Sequence, residues 1–530
     1  MTIDTSASTS GTGASPSATS PAPRWLGAVA GVLAASAALG AGELVAGLRA
    51  GWPSPVVAIA DRIVEASPPA LTSWAIGTFG TNDKPLLIAG IGTVLAVLAA
   101  LLGVLATRRP FGAAAGVAGL GTVGVAAGLN APGTGAGAGV PGVAATFVGV
   151  GALLALAAGL ARYGDTSAAS DEAGDLGRRR FLVVAGTVAA GAMAMGTAGR
   201  LLLSRFDVEA ARDALALPAP VARRDLPPPA GAELAVDGIT PLITPNDAFY
   251  RIDTALAVPR IDPDTHVLRV TGMVERPLTI PFADLLRRDL VEVPITMTCV
   301  SNEVGGDLVG NAVWLGFRLR ELLDEVGVSS EADQVVGRSV DGYTGGFPVA
   351  AAYDRDALVV VGMNGEPLPA QHGFPLRLVT PGLYGYVGST KWLAEIELTR
   401  FDRFDHYWVP RGYAAQAPVK TMARIDVPGG RDELAPGERP IAGVAWAQSR
   451  GVANVEVQVD DGAWQTAELA EAVNDVSWRP WVLSWRATPG RHRIRVRATD
   501  GDGVTQPETR TGVRPDGATG WHTITVLVTG

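Results

Sequence analysis

The sequence predicts a multi-domain chain: a transmembrane α-helical region, then an α+β domain, then an immunoglobulin-like β-sandwich. Three observations predict it. Residues 25–204 are dominated by Ala, Gly, Val and Leu, whereas 205–530 hold most of the charges, aromatics and prolines and all five histidines. The first part contains apolar runs close to the ~20 residues that cross a bilayer. Beyond residue 240 the long apolar runs give way to mixed helical and strand-like patterns, and over roughly the last ~95 residues to short alternating strands alone.

Residues 1–23, rich in Ser, Thr, Ala, Gly and Pro, read as a disordered tail. Region 24–204 reads as a membrane unit of about five helices, near 25–49, 85–106, 111–129, 142–162 and 181–204. The third is the weakest, since Gly and Ala carry most of it. Arg24, Arg108 with Arg109, and Arg178 to Arg180 fall in alternate loops, which the positive-inside bias places in the cytoplasm. The amino terminus is then inside and residues 205–530 outside, giving a multi-pass protein of the cell membrane with contacts to membrane lipid.

Gly177-Arg-Arg-Arg-Phe-Leu-Val183 resembles a twin-arginine export signal, which serves folded, cofactor-loaded proteins. A plain positive-inside anchor accounts for the same residues. Glu43, inside the first apolar run, reads either as a functional acid in a membrane helix or as a hydrated boundary residue beside Arg49. No histidine precedes His266, so the membrane region is not a bundle with paired histidines on a haem.

Residues 205–240, with Pro227-Pro-Pro229, read as a linker, and 241–430 as the α+β domain. His266 to Val270 has strand character. Phe317, Leu319, Leu322, Leu323 and Val326 have helical spacing, with Gly327 as the stop. Val359 to Met363 runs into Asn364-Gly365, a tight-hairpin signal. Over 437–530, Val455, Val457 and Val459 alternate with polar residues before the turn at Asp461-Gly462. Ile494 with Val496, and Ile524, Val526 and Val528, alternate likewise. The sandwich itself shows no converging chemistry.

Charged residues are 18% of the chain, and the net charge of −9 with a pI near 5.2 excludes a nucleic-acid binder, because no basic stripe meets phosphate. Cys299 is the one cysteine. In an exported chain it makes no intramolecular disulfide, which leaves an inert thiol, an intermolecular bridge or a working thiolate.

Around that cysteine the chain resembles the sulfite oxidase family. The resemblance rests on Ile243-Thr-Pro-Asn246, Phe249-Tyr250, Ile261 to Thr265, Met297-Thr-Cys299, Met363 to Pro369, Gln371 to Val379, Pro381-Gly382 and Lys391-Trp392, in order and in register. It spans about 240–530, since Gly520-Trp521-His522 resembles the family's dimerisation domain, which implies a homodimer. The resemblance implies a molybdenum-molybdopterin cofactor with Cys299 as the metal ligand. Soft thiolates suit redox metals, and the pterin supplies the other sulfurs. It further implies cofactor-binding roles for His372, Arg377, Ser389, Thr390, Lys391, Phe249, Tyr250, Arg251, Asp253 and Asp341, and, on a looser match, Asn246 and Ser339. Tyr343 falls where the family keeps an active-site tyrosine. It reads either as a donor to substrate or as an aromatic turn residue.

The chain departs from the family where sulfite is held by arginines: Ile252, Val313 and Gly388 stand at those positions, and Ser301-Asn-Glu303 replaces a basic run. Such a pocket disfavours a dianion. The expected function is therefore a membrane-anchored molybdopterin-dependent oxidoreductase with an extracytoplasmic catalytic domain. It would transfer an oxygen atom to or from a sulfoxide, N-oxide or similar small substrate. A sulfite dehydrogenase, or a non-enzymatic membrane protein with a binding sandwich, are the alternatives. With no C-x-x-C-H in the chain, electrons pass to or from a cytochrome or quinone partner.

Overall fold

The computed structural model describes residues 23–49, 51–68, 71, 74, 78–79, 83–131, 135–163, 171–204 and 208–530, and the expected amino-terminal tail lies almost wholly outside them. The chain divides into two compact units, Met1–Arg205 and Phe206–Gly530.

The first unit is helical: α1 (Arg24–Ala46), α2 (Pro55–Ala66), α3 (Asp83–Ala106), α4 (Pro110–Leu129), α5 (Val140–Tyr163) and α6 (Asp171–Ser204). Five of these helices are long and apolar enough to cross a membrane, at the places the hydropathy marks. The sequence reading missed α2, whose start is set by Pro55 at the first helical position and by the Ser54 hydroxyl, which accepts the Val57 N–H at 3.3 Å. Helix α1 packs against α3, α5 and α6. Missing side chains permit the closest approach: a Cβ on Gly31 would lie 1.9 Å from the Ala99 carbonyl oxygen, and one on Gly103 2.1 Å from that of Gly27. The outward faces are apolar, with Phe111 81% and Phe147 76% exposed. Arg49 lies over the Trp52 ring rather than against Glu43. Arg178, Arg179 and Arg180 are exposed on α6.

The second unit opens with α7 (Val208–Ala214) and β1 (Ala222–Arg223), so the segment expected as a free linker is packed. Val208 is buried, Arg212 Nε donates to Pro367 O at 3.1 Å, and β1 pairs in parallel with a central strand. Val208 and Leu215 have apolar partners waiting in the core, a fact that composition alone conceals.

The α/β part contains β2 (Val267–Gly272), β3 (Leu278–Pro281), α8 (Phe282–Leu285), β4 (Val291–Thr298), β5 (Val309–Arg318), α9 (Leu319–Val326), β6 (Gln334–Ser339), β7 (Thr344–Pro348) and α10 (Val349–Asp354). It continues with β8 (Leu358–Met363), β9 (Glu366–Pro367), β10 (Arg377–Val379), α11 (Gly385–Gly388), β11 (Ser389–Thr390) and β12 (Leu393–Thr399). The larger sheet runs β1-β4-β5-β8-β10-β11 with β9 turned back on β8; the smaller runs β3-β2-β12-β6-β7. Val291, Val293, Ile295 and Met297 of β4 alternate into one core, where they meet Trp314, Phe374 and Phe249. A second core, between the two sheets, holds Phe317, Phe347, Leu378, Ile396 and the face of α9.

In α9, Leu319, Leu322, Leu323 and Val326 are fully buried, and Gly327 ends the helix with φ of +68°. Each such side chain contributes about 1.5–3 kcal/mol by burial. Phe317, expected on this helix, belongs instead to β5, because its partner Val359 extends the sheet through it. Asn364 and Gly365 both have positive φ, 52° and 83°, as the turn joining β8 to β9 requires.

The remainder is β-rich: β13 (Met422–Val427), β14 (Glu433–Leu434), β15 (Gly437–Trp446), β16 (Val452–Val459), β17 (Gln465–Thr466), β18 (Glu468–Leu469), β19 (Arg479–Ala487), β20 (Gly490–Asp500) and β21 (His522–Val528). One sheet runs β13-β15-β19-β18 and the other β14-β21-β20-β16-β17. Val455, Val457, Ile494, Val496, Ile524, Val526 and Val528 share one core with Ile425, Ile441 and Trp481 of the opposite sheet. Strand β13 pairs with β15, so this region begins ahead of the boundary expected at 437.

Candidate active site

Strand β4 ends at Thr298, and Cys299 follows it into a tight loop that returns as β5. The Cys299 N–H donates to Leu308 O at 2.9 Å, and the Asn302 side chain accepts the Leu308 N–H at 2.9 Å, so both ends of the loop are tied. Cys299 is buried at 8% exposure. Burial pushes its thiol above the usual range, while the Ser301 N–H, 3.4 Å from Sγ, and the Lys391 charge oppose that shift. Without a metal the group is a neutral thiol, and a metal would displace its proton.

Arg377, at the start of β10, is 5% exposed. Its Nε donates to Ser389 Oγ at 3.1 Å and its Nη1 to His372 O at 3.0 Å; Nη2 reaches Met297 Sδ at 3.5 Å, and the guanidinium lies over Trp314. Among the described residues no carboxylate is within ion-pair distance of it. Burial lowers its pKa to about 10. Next to it, His372 is buried, and its Nε2 donates to Asn246 O at 3.0 Å. Burial, with Arg377 and Lys391 nearby, drives the ring down to about 3. The ring is therefore neutral with its proton on Nε2, leaving Nδ1 as an acceptor.

Lys391 Nζ contacts Asp253 Oδ2 at 3.1 Å and Gln371 O at 3.1 Å. Arg251 Nε holds the same Asp253 oxygen at 2.9 Å. Burial pulls Lys391 down to about 8 against the pull of Asp253. Two cations thus share one carboxylate. Phe249 stacks on Tyr250 at 5.1 Å and sets its ring edge-on to Trp314 and His372. Gly310 makes room for it, since a Cβ there would lie 2.7 Å from the Phe249 ring. Burial raises the Tyr250 phenol, and a charged Cys299 would raise it further. The Asn246 side chain is fixed by Asn364 Nδ2 at 2.8 Å.

The structure therefore gathers most of the residues singled out in the sequence, with some differences. Asp341 and Ser339 shape a turn: Asp341 Oδ1 accepts the Tyr343 N–H at 3.1 Å, and Ser339 N–H donates to Tyr343 O at 2.9 Å. The Tyr343 hydroxyl is already engaged, donating to Tyr386 O at 2.6 Å. Thr390 Oγ1 donates to Gly337 O at 3.4 Å, binding two sheets together. Val313 does not adjoin Cys299. It pairs with Pro294, four residues back from Thr298 and so about 13 Å along the strand. Ile252 is 48% exposed, and Gly388 is packed so that a Cβ would lie 2.9 Å from Leu383 Cβ. Met297, as an Arg377 neighbour, carried no signal in the sequence.

The donor set fits an anionic, metal-bearing cofactor. It combines one buried thiol, one buried guanidinium with only neutral partners, and a Lys–Arg pair that a single carboxylate leaves net positive. A site of this kind suits an enzyme with an anionic cofactor. Residues 255–408 match the oxidoreductase molybdopterin binding domain. Human mitochondrial sulfite oxidase is 29% identical over 340 residues, which cover 54% of this chain and 62% of that protein. The uncharacterized oxidoreductase YuiH of Bacillus subtilis (strain 168) is 34% identical over 146 residues, 28% of this chain and 71% of that protein. The crystal structure of the sulfane dehydrogenase SoxCD from Paracoccus pantotrophus aligns with a TM-score of 0.47 and 22% identity, covering 54% of this chain and 82% of that one.

The chain belongs to the sulfite oxidase superfamily and is a molybdenum-dependent oxidoreductase with a molybdopterin cofactor. This sets aside the reading as a non-enzymatic membrane protein. The match spans less than two thirds of the human enzyme's length, 62%.

Proposed function

We propose that this chain is a membrane-anchored enzyme with an extracytoplasmic catalytic domain that moves an oxygen atom to or from a neutral sulfoxide, N-oxide or similar small substrate. The observation that carries the site is the buried Arg377, held by neutral partners alone, one of them Met297, two residues before the one cysteine. A buried cation without a counter-charge is strongly disfavoured unless an anion arrives. The apolar outer faces of the helical unit and its alternating loop charges support the membrane reading.

In this reading Cys299 is the metal ligand, and the Ser301 N–H aimed at its sulfur supports the thiolate. Arg377 and Lys391 hold the anionic cofactor, with Arg251 and Asp253 setting the lysine. His372 offers Nδ1 as an acceptor, and Ser389 orients Arg377. Phe249 and Tyr250 wall the pocket and exclude water, while Asn246, Ser339 and Asp341 fix the flanking turns. Thr390 serves the sheet. The bound cofactor supplies the two-electron redox chemistry. Tyr343 positions the Tyr386 segment, and donates to substrate only by leaving its bond to Tyr386 O. The β-rich region is of immunoglobulin type and suits a homodimer contact. Electrons pass through a cytochrome or quinone partner.

The second reading, a sulfite dehydrogenase, is favoured by Arg251. It stands one residue from Ile252, its side chain 41% exposed, and it could meet an anion from that neighbouring position.

Metal and pterin analysis of the purified chain tests the site. Molybdenum is expected in the native chain and lost in Cys299→Ala with the fold retained; full molybdenum in that variant refutes the ligand assignment. Sulfoxide-dependent oxidation of a reduced dye, compared with sulfite-dependent reduction of an oxidised one, separates the two substrates. Normal export of a chain with Arg178 and Arg179 replaced by lysine would refute the twin-arginine route.

A further inference from the structure

The β-rich region closes the open edge of β4, the strand that leads into Cys299. On one side β4 is paired by β5 along its whole length, but on the other only at Val291 and Glu292, by β1. Beyond that point no strand among the described residues covers it, and buried backbone groups must find partners elsewhere. They find them in residues 448 and 474–478, far off in sequence. Pro294 O accepts from Ser477 Oγ at 3.0 Å and from Asn474 Nδ2 at 3.1 Å. Pro294 has no N–H to offer, so side-chain donors suffice there. Thr296 N–H donates to Val476 O at 3.0 Å, and Thr296 Oγ1 accepts the Trp478 N–H at 2.7 Å.

The last of these contacts is the nearest to the metal ligand. Gln448, 1% exposed, donates from Nε2 to Thr296 O at 3.0 Å and lies 3.5 Å from Thr298 Oγ1, next to Cys299 in the chain. Its Oε1 is buried without a hydrogen-bond partner. On the far side of the cysteine loop, Arg424 Nη1 donates to Gly306 O at 2.9 Å, and the His522 ring packs onto Gly305. Both residues again come from the β-rich region.

We infer that Gln448 is a positioning residue for the metal-ligating cysteine. With the 474–478 loop it replaces the missing neighbour strand of β4, and so sets where the Cys299 sulfur stands and how often the strand opens. The inference rests on the reading of Cys299 as the ligand for its consequence in catalysis, but not for its test.

The single cysteine makes that test specific: in the full chain made without cofactor, alkylation by iodoacetamide reports Cys299 alone. Gln448→Leu, which keeps bulk and removes the donor, is expected to speed alkylation about tenfold. Ser477→Ala is milder, and several-fold acceleration is expected; it serves should Gln448→Leu fail to fold. Gln506→Leu is the control. Gln506 is equally buried in the same region, at 2%, but holds Gly520 O and the Ala423 N–H rather than β4. Its alkylation rate is expected to match that of the native chain even at a lower melting temperature. In the loaded enzyme, Gln448→Leu should lower molybdenum content and shift the paramagnetic resonance signal of the half-reduced metal. Native alkylation rates in both Gln448→Leu and Ser477→Ala, or an equal acceleration in Gln506→Leu, would overturn the inference. A native chain without molybdenum that still shows the expected alkylation pattern would refute the ligand reading and leave the positioning role standing.

Discussion

Replacing Arg377 by Met separates a cofactor-holding charge from a structural one. The guanidinium is 5% exposed and its pKa is depressed from 12.5 to about 10. At 1.36 kcal/mol per unit, keeping it charged at neutral pH costs about 3 kcal/mol when no anion is present. Its bonds to Ser389 Oγ and His372 O, at about 1 kcal/mol each, offset about two thirds of that. Methionine fills similar space beside Trp314 and Met297 without the charge. Arg377→Met should therefore change the stability of the cofactor-free chain by no more than about 1 kcal/mol, and on the stabilising side. The same substitution should abolish molybdenum retention. Denaturant unfolding of chain made in cofactor-deficient cells gives the first quantity, and metal analysis of loaded chain the second. Removing one member of a structural buried ion pair costs about 3–5 kcal/mol. A loss of that size in the cofactor-free chain, with molybdenum retained, would refute the assignment.

Other outcomes follow from the same structure. His372 and His522, driven by burial to about 3 and about 4, stay neutral in the folded chain and take up protons on unfolding below their ordinary 6.5. Stability should thus fall as pH drops from 6.5 by about 1.4 kcal/mol per unit for each ring, ceasing near pH 4 for His522 and near pH 3 for His372; proton uptake measured on unfolding between pH 6 and 4 checks it. Tyr343→Phe deletes the 2.6 Å bond to Tyr386 O and should destabilise by about 1 kcal/mol while molybdenum stays bound. Metal loss in that variant would place the hydroxyl on the cofactor instead. In the helical unit, Gly31→Leu drives a side chain into Ala99 O and should abolish the folded species in size-exclusion chromatography of detergent extracts.

Legibility in the sequence followed the range of each interaction. Asn364-Gly365 was readable because two adjacent residues settle a turn: both need positive φ, and both have it. Helix α9 was readable from four apolar residues at helical spacing, but its start was misplaced. Nothing local tells Phe317 that Val359 will extend a strand across it. The segment 205–240 looked like a linker because its few apolar residues mean little until Val208 and Leu215, in the described part from 208, meet the core. Motif order singled out Cys299, His372, Arg377 and Lys391, of which the structure bonds Arg377 to His372, whereas Val313, set beside them by alignment, pairs with Pro294, four residues back along the strand from Thr298.

The sequence by itself determined the three-part plan, the apolar helices, the periodicity of the β-rich strands and the identity of the thiol, because each depends on residue type or short spacing. Only the tertiary structure decided the environment of that thiol. The neutral partners of Arg377, the carboxylate shared by Arg251 and Lys391, and the hold of Gln448 on β4 join residues up to 152 positions apart. Periodicity states which face of a strand is buried; which distant group completes its edge is set only when the chain has folded.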